Sequence, residues 1–182
     1  MKQMKPKRRK SNLPGMFRRL LVPVDFSDAS ARALRHAVEL AEESGASLVV
    51  VYVVPVDYGW LGIGRDESRD LDRSLQRQAA DRLRAFTDEN VRHDVAADLE
   101  VRIGRPAEEI VKAATESECN AIVLSTRGVT GLDRYFIGSV ADRVVRLASC
   151  PVFLIPPARP VVHRGRTFLP VLRLKHRSKG RR

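Results

Sequence analysis

Apolar residues gather into five short runs, Leu20–Val24, Leu48–Val54, Val95–Ile103, Ala121–Leu124 and Val152–Ile155, and between them recur every three or four positions. The runs read as strands and the recurrences as amphipathic helices, and their alternation implies a parallel α/β sheet. The second and fourth runs are almost unbroken, as strands covered on both faces should be. The third alternates Val95, Ala97, Leu99, Val101 and Ile103 with Asp94, Asp98, Glu100 and Arg102. One of its faces is wetter, which suits an edge strand.

Helix signals fill the gaps. Ser27 is a good N-cap for a helix over 28–44, with Ala33, Leu34, Ala37, Val38 and Ala41 on one face and Gly45 placed to end it. A second helix carries Leu71, Leu75, Ala79, Leu83 and Phe86, a stripe that is more often core than cofactor box. Gly104-Arg105-Pro106 announces a third, with Pro106 in its first turn, Glu108 and Glu109 facing the dipole, and Ile110, Val111 and Ala114 inward. In a fourth, Val140, Val144, Leu147 and Ala148 recur at helical spacing. Between Pro55 and Asp70 lies a long glycine-bearing loop with Tyr58 and Trp60, of the kind that is usually functional or mobile.

A net charge of +11 suggests nucleic acid until it is divided along the chain. Residues 1–19 hold eight Lys/Arg and no acid, and residues 157–182 hold nine and no acid. The interior keeps sixteen of the 33 basic residues against all 22 acidic ones, so the basicity belongs to the ends. Three regions follow: a basic disordered tail over 1–18, one α/β domain over 19–157, and a basic extension over 158–182. The ends can clamp polyanions, nucleic acid included, without sequence preference. Cys119 and Cys150 make neither a disulfide framework nor a metal site, and buried thiols fit a reducing compartment. With no 18-residue apolar segment and no signal core, the expectation is a cytoplasmic protein with no membrane contact.

The sharpest chemical signal is Ser125-Thr126-Arg127-Gly128, then nine residues, then Gly138-Ser139. It couples a strand end to a helix start, where glycine permits close backbone approach and unpaired helix N–H groups favour an anion. The plainer reading is a turn followed by a serine N-cap. Together with Leu20 to Leu34 (LLVPVDFSDASARAL) and Ala148 to Pro156 (ASCPVFLIP), this loop resembles the universal stress protein family over about residues 19–156. The family writes the loop G-x2-G-x9-G-[ST]; Gly128, Gly138 and Ser139 match it, and Ser125 replaces the first glycine.

The resemblance implies an open, doubly wound five-stranded parallel sheet of order 3-2-1-4-5 with helices on both faces. It carries an adenine-side role onto Pro23, Asp25 and Val53, and ribose and phosphate roles onto Leu124, Ser125, Gly128, Gly138, Ser139 and Val140. Arg127 adds a guanidinium that suits phosphate. The implied ligand is ATP, with Mg²⁺ where the phosphates bring it, and the implied assembly is a homodimer through Val152, Phe153, Leu154 and Ile155. Asp25 also has a plainer reading, as a cap at the start of the first helix.

Catalysis has little support. His36, His93, His163 and His176 are scattered, and there is no G-x-x-x-x-G-K-[ST] loop, so any ATP hydrolysis should be slow. Three functions stand: a stress-response protein that binds ATP and signals through shape or partner affinity, a non-nucleotide-binding interaction module of the same fold, and polyanion binding through the ends.

Overall fold

The computed structural model describes residues 15–56, 65–92, 94–126 and 137–156, with residues 65–72 described by their backbone. The basic ends, most of the long loop after Pro55, and Arg127 to Phe136 lie outside the described residues. Among the described residues nine elements alternate: β1 (Arg19–Pro23), α1 (Asp28–Ser44), β2 (Ser47–Pro55), α2 (Arg65–Asn90), β3 (Ala97–Gly104), α3 (Pro106–Glu116), β4 (Ala121–Ser125), α4 (Ser139–Leu147) and β5 (Val152–Ile155).

The five strands form one parallel sheet in the order β3-β2-β1-β4-β5. Period-two alternation sends the side chains of each central strand to opposite faces. Leu20, Val22, Leu48, Val50, Ala121 and Val123 pack with Leu34, Ala37, Val38 and Ala41 of α1 and Leu83 of α2. On the other face Leu21, Val49, Val51, Ile122 and Leu124 meet Ala107, Ile110 and Ala113 of α3 and Ala141 and Val144 of α4. Both faces of β1, β2 and β4 are therefore apolar, and this explains their unbroken runs.

Helix α1 spans the residues its signals predict: Ser27 Oγ accepts from the Ser30 N–H, and Gly45 closes the helix at φ 75°. Two expectations need correction. Strand β3 starts at Ala97, because Val95 is drawn into a turn in which its N–H donates to the Arg92 carbonyl (3.1 Å). Its polar face is also not simply wet: Arg102, 11% exposed, reaches Glu100, Glu109 and Glu116, while Leu99 on the apolar face is 39% exposed.

The second correction concerns α4. Ala141 and Val144 face the core, whereas Val140, Val145 and Leu147 are 38–47% exposed. A helix of nine residues packed chiefly against α3 buries a narrow stripe, and the predicted spacing was offset from it.

Candidate functional site

Strands β1 and β4 pair through Leu20↔Ala121 and Leu21↔Ile122. Both run on past that point, β1 to Pro23 and β4 to Ser125, so they part at their carboxyl ends. The strand order reverses there, which is where open α/β sheets form crevices. A cavity of about 280 Å³ fills the gap, close to the lower end of the roughly 300–1,000 Å³ usual for small-molecule sites.

Pro23, Asp25, Val53, Leu124, Ser125, Gly138, Ser139 and Val140, singled out from the sequence, all line this one cavity. Arg127 and Gly128 lie outside the described residues. Sequence reasoning missed Ser30, Tyr52, Pro106, Ile110 and Thr126, which line it too. The serine three positions after the Ser27 cap was a usable signal for Ser30. Pro106 and Ile110 reach the cavity only because α3 crosses over the end of β2, which nothing local encodes.

The wall on the β1 side is held by side chains. Asp25 Oδ1 accepts from the Ser27 N–H (3.1 Å) and from the Ser27 hydroxyl (2.5 Å). The Asp25 N–H donates to Ser30 Oγ (3.3 Å), and the Ser30 hydroxyl donates to the Ser27 carbonyl (2.9 Å). Asp25 thus helps build the turn into α1 while lining the cavity, so its plainer reading and its site reading are compatible.

Between Asp25 and Ser27, Phe26 holds a left-handed backbone with φ 64°. That conformation costs a bulky L-residue roughly 1–2 kcal/mol. Its ring lies 4.4 Å from that of Tyr52 and 5.4 Å from that of Phe86, edge-on, with the Arg82 guanidinium 4.0 Å from its centroid. Aromatic pairs contribute about 0.5–1.5 kcal/mol each and an exposed cation–π contact about 0.5–1 kcal/mol, enough to offset the backbone cost.

The wall on the β4 side is held by backbone. The Thr126 N–H donates to the Ile155 carbonyl (3.0 Å), and the Thr126 carbonyl accepts from the Gly138 N–H (2.8 Å). Gly138 is the N-cap of α4 and its carbonyl accepts from the Asp142 N–H (2.9 Å), but among the described residues no side chain caps the helix. Ser139 is therefore not the N-cap of the plainer reading; it is the first helical residue. An uncapped helix end opening onto a cavity presents N–H groups and the positive end of a dipole to an anion.

Among the described residues that line the cavity, the charged side chain is that of Asp25. Val51, Val53, Ile110 and Leu124 supply apolar walls. His36 sits away from the cavity on the outer surface of α1, 3.4 Å from Glu39. Cys119 and Cys150 are free thiols outside it, and burial pushes Cys119 up to about 11, which makes it a poor nucleophile. Among the described residues no cluster of His, Cys, Asp and Glu could hold a metal, and no helix is long and apolar enough to cross a membrane.

Residues 16–156 match the model of the universal stress protein family. The chain belongs to that family. A universal stress protein of Methanocaldococcus jannaschii is 33% identical over 145 residues, covering 79% of this chain and 85% of the relative. Among solved structures, a universal stress protein of Lactobacillus plantarum is 28% identical with a TM-score of 0.60, covering 76% of this chain and 97% of that one. A universal stress protein of Archaeoglobus fulgidus, solved in complex with dAMP, is 26% identical with a TM-score of 0.51, covering 76% and 97%.

Proposed function

We propose that this universal stress protein binds an adenine nucleotide in the crevice between β1 and β4, and acts through nucleotide-dependent signalling or partner binding in the cytoplasm. The observation that carries the reading is the uncapped N-terminus of α4, which faces the same cavity as the Asp25 carboxylate. One end suits phosphate and the other suits the donor groups of a base or sugar. The dAMP complex of the Archaeoglobus fulgidus relative supports this ligand class.

The residues fit the ligand. Val53, Ile110 and Leu124 would flank the base, Asp25 would accept from its amino group or a ribose hydroxyl, and the N–H groups of Ser139 and Val140 would meet phosphate. ATP is the nucleotide expected, and Mg²⁺ would enter on its phosphates. Calorimetry with ATP–Mg²⁺ and with AMP tests the reading: micromolar to millimolar binding is expected, and heats indistinguishable from dilution for both would reject it.

The same reading extends to assembly. Strand β5 is four apolar residues long at an edge of the sheet, a liability in a monomer when left unpaired. Pairing with a second copy would satisfy both edges. Light scattering at micromolar concentration should give twice the monomer mass, and a monomeric mass would exclude the dimer.

A further inference from the structure

We infer that Phe26 is a positioning residue for the crevice: its ring, clamped between Tyr52 of β2 and Phe86 and Arg82 of α2, fixes the strained turn that presents Asp25. This rests on the nucleotide reading above and assigns to α2, which contributes no described residue to the cavity lining, a part in ligand binding.

Three observations carry it. First, the only non-glycine residue with a left-handed backbone beside the cavity, among the described residues, is Phe26, and it is flanked by Asp25 and Ser27, the two partners of the hydrogen bonds that orient the carboxylate. Strain kept beside a ligand site persists when its surroundings over-determine it. Second, the over-determination is visible: two rings and one guanidinium hold the Phe26 ring from β2 and α2. Third, the clamp is continuous with the site, because Tyr52 both packs on Phe26 and lines the cavity.

Without its ring, residue 26 has no reason to keep φ near 64°. The turn then relaxes, the Ser27 N–H and hydroxyl leave Asp25 Oδ1, and the carboxylate loses its fixed aim. Arg82 and Phe86 do not line the cavity, so their effect on binding must pass through this turn. A change at α2 is thereby felt at the crevice, and occupancy of the crevice is felt at α2.

The test uses the full chain and AMP as probe. Phe26→Gly is the informative variant, because glycine accepts the left-handed backbone without strain, which keeps the fold, while without the ring nothing holds the turn against its other conformations. Hydrogen exchange without ligand is read first: the Ser27 and Ser30 amides should exchange about 10-fold faster in Phe26→Gly, a local opening that leaves the β1 and β2 amides unchanged. Calorimetry should then show AMP binding about 10-fold weaker in Phe26→Gly and about 3-fold weaker in Arg82→Met, which keeps the side-chain bulk and removes the cation.

The decisive arm is the double variant. If Phe26 acts through Asp25, then Asp25→Asn with Phe26→Gly binds AMP no worse than Asp25→Asn alone. Losses that multiply, or unchanged exchange at Ser27 and Ser30, overturn the proposal. A wild-type chain that binds no AMP overturns the nucleotide reading and the binding role of Phe26 together, and that outcome is distinguished by the exchange result, which needs no ligand.

Discussion

The two walls of the crevice are built on opposite principles. On the β1 side the polar groups are satisfied within the protein: Asp25, Ser27 and Ser30 bond one another, and Phe26 is clamped by three side chains. On the β4 side a chain of backbone bonds from Ile155 through Thr126 to Gly138 holds the frame, while α4 begins without a side-chain cap. The first wall is complete before a ligand arrives. The second has donors that an anion would complete. Substitutions on the first wall should therefore cost stability and aim, and those on the second should cost affinity with little loss of stability.

The largest expected effect lies on the β4 side. Gly138→Val adds bulk where the proposed phosphate would approach two helix N–H groups; losing such charge-assisted bonds should weaken ATP binding by about 100-fold. Gly138 has φ −59°, which valine tolerates, so the melting temperature should move little. A variant that unfolds while its folded fraction binds normally would reverse the contrast between the walls.

Ser27→Ala should behave the other way. It removes the α1 cap and the hydroxyl on Asp25, costing about 1 kcal/mol, or ~4 °C in Tm. Thermal denaturation without ligand measures this directly, and an unchanged Tm would show that the first wall is not self-supporting.

Ser125→Gly places a glycine where the loop pattern that the sequence resembles has one, removing a side chain at the proposed phosphate end of the cavity. Binding of ATP should stay the same or improve slightly. Clearly weaker binding would mean the hydroxyl is itself a contact.

The smallest effect is a control remote from the crevice. The hydrogen bond from Arg102 holds the Glu116 carboxyl below its ordinary range, against a burial effect that would raise it. A depressed folded-state value contributes stability above the unfolded value of about pH 4.3, and that contribution is lost as pH falls through the folded value. Wild type should thus exceed Glu116→Gln in denaturant midpoint at neutral pH, with the gap closing in acid. A gap that widens on acidification would contradict the sign, and a change in ATP affinity would show that this ion cluster is not remote after all.

Much of the fold was legible because its causes are local. Unbroken apolar runs mark strands buried on both faces, and Ser27, Gly45 and Pro106 mark helix ends through the backbone geometry each permits. The eight predicted site residues that are described converge because the sheet brings the carboxyl ends of β1, β2 and β4 together. What was hidden depends on packing between distant segments. The stripe of α4 was misplaced because spacing does not say which of several apolar residues faces the core, and Ala141 and Val144 join the cluster with α3 while Val140 and Leu147 stay exposed. Pro106, Ile110 and Thr126 enter the cavity through helix placement and strand ends. Phe26 gives no sign of its role in the sequence, since neither its backbone strain nor the approach of Arg82 and Phe86 from α2 has a local signature.

The central claim is that one ligand bridges the two walls, and amide chemical-shift mapping with ATP–Mg²⁺ and adenosine tests it most directly. ATP should shift both the Val24–Ser27 and Val53 amides and those of Ser125, Thr126 and Gly138–Ala141, whereas adenosine should shift the first group far more than the second. Shifts confined to the basic ends, or none at millimolar ligand, would contradict the account.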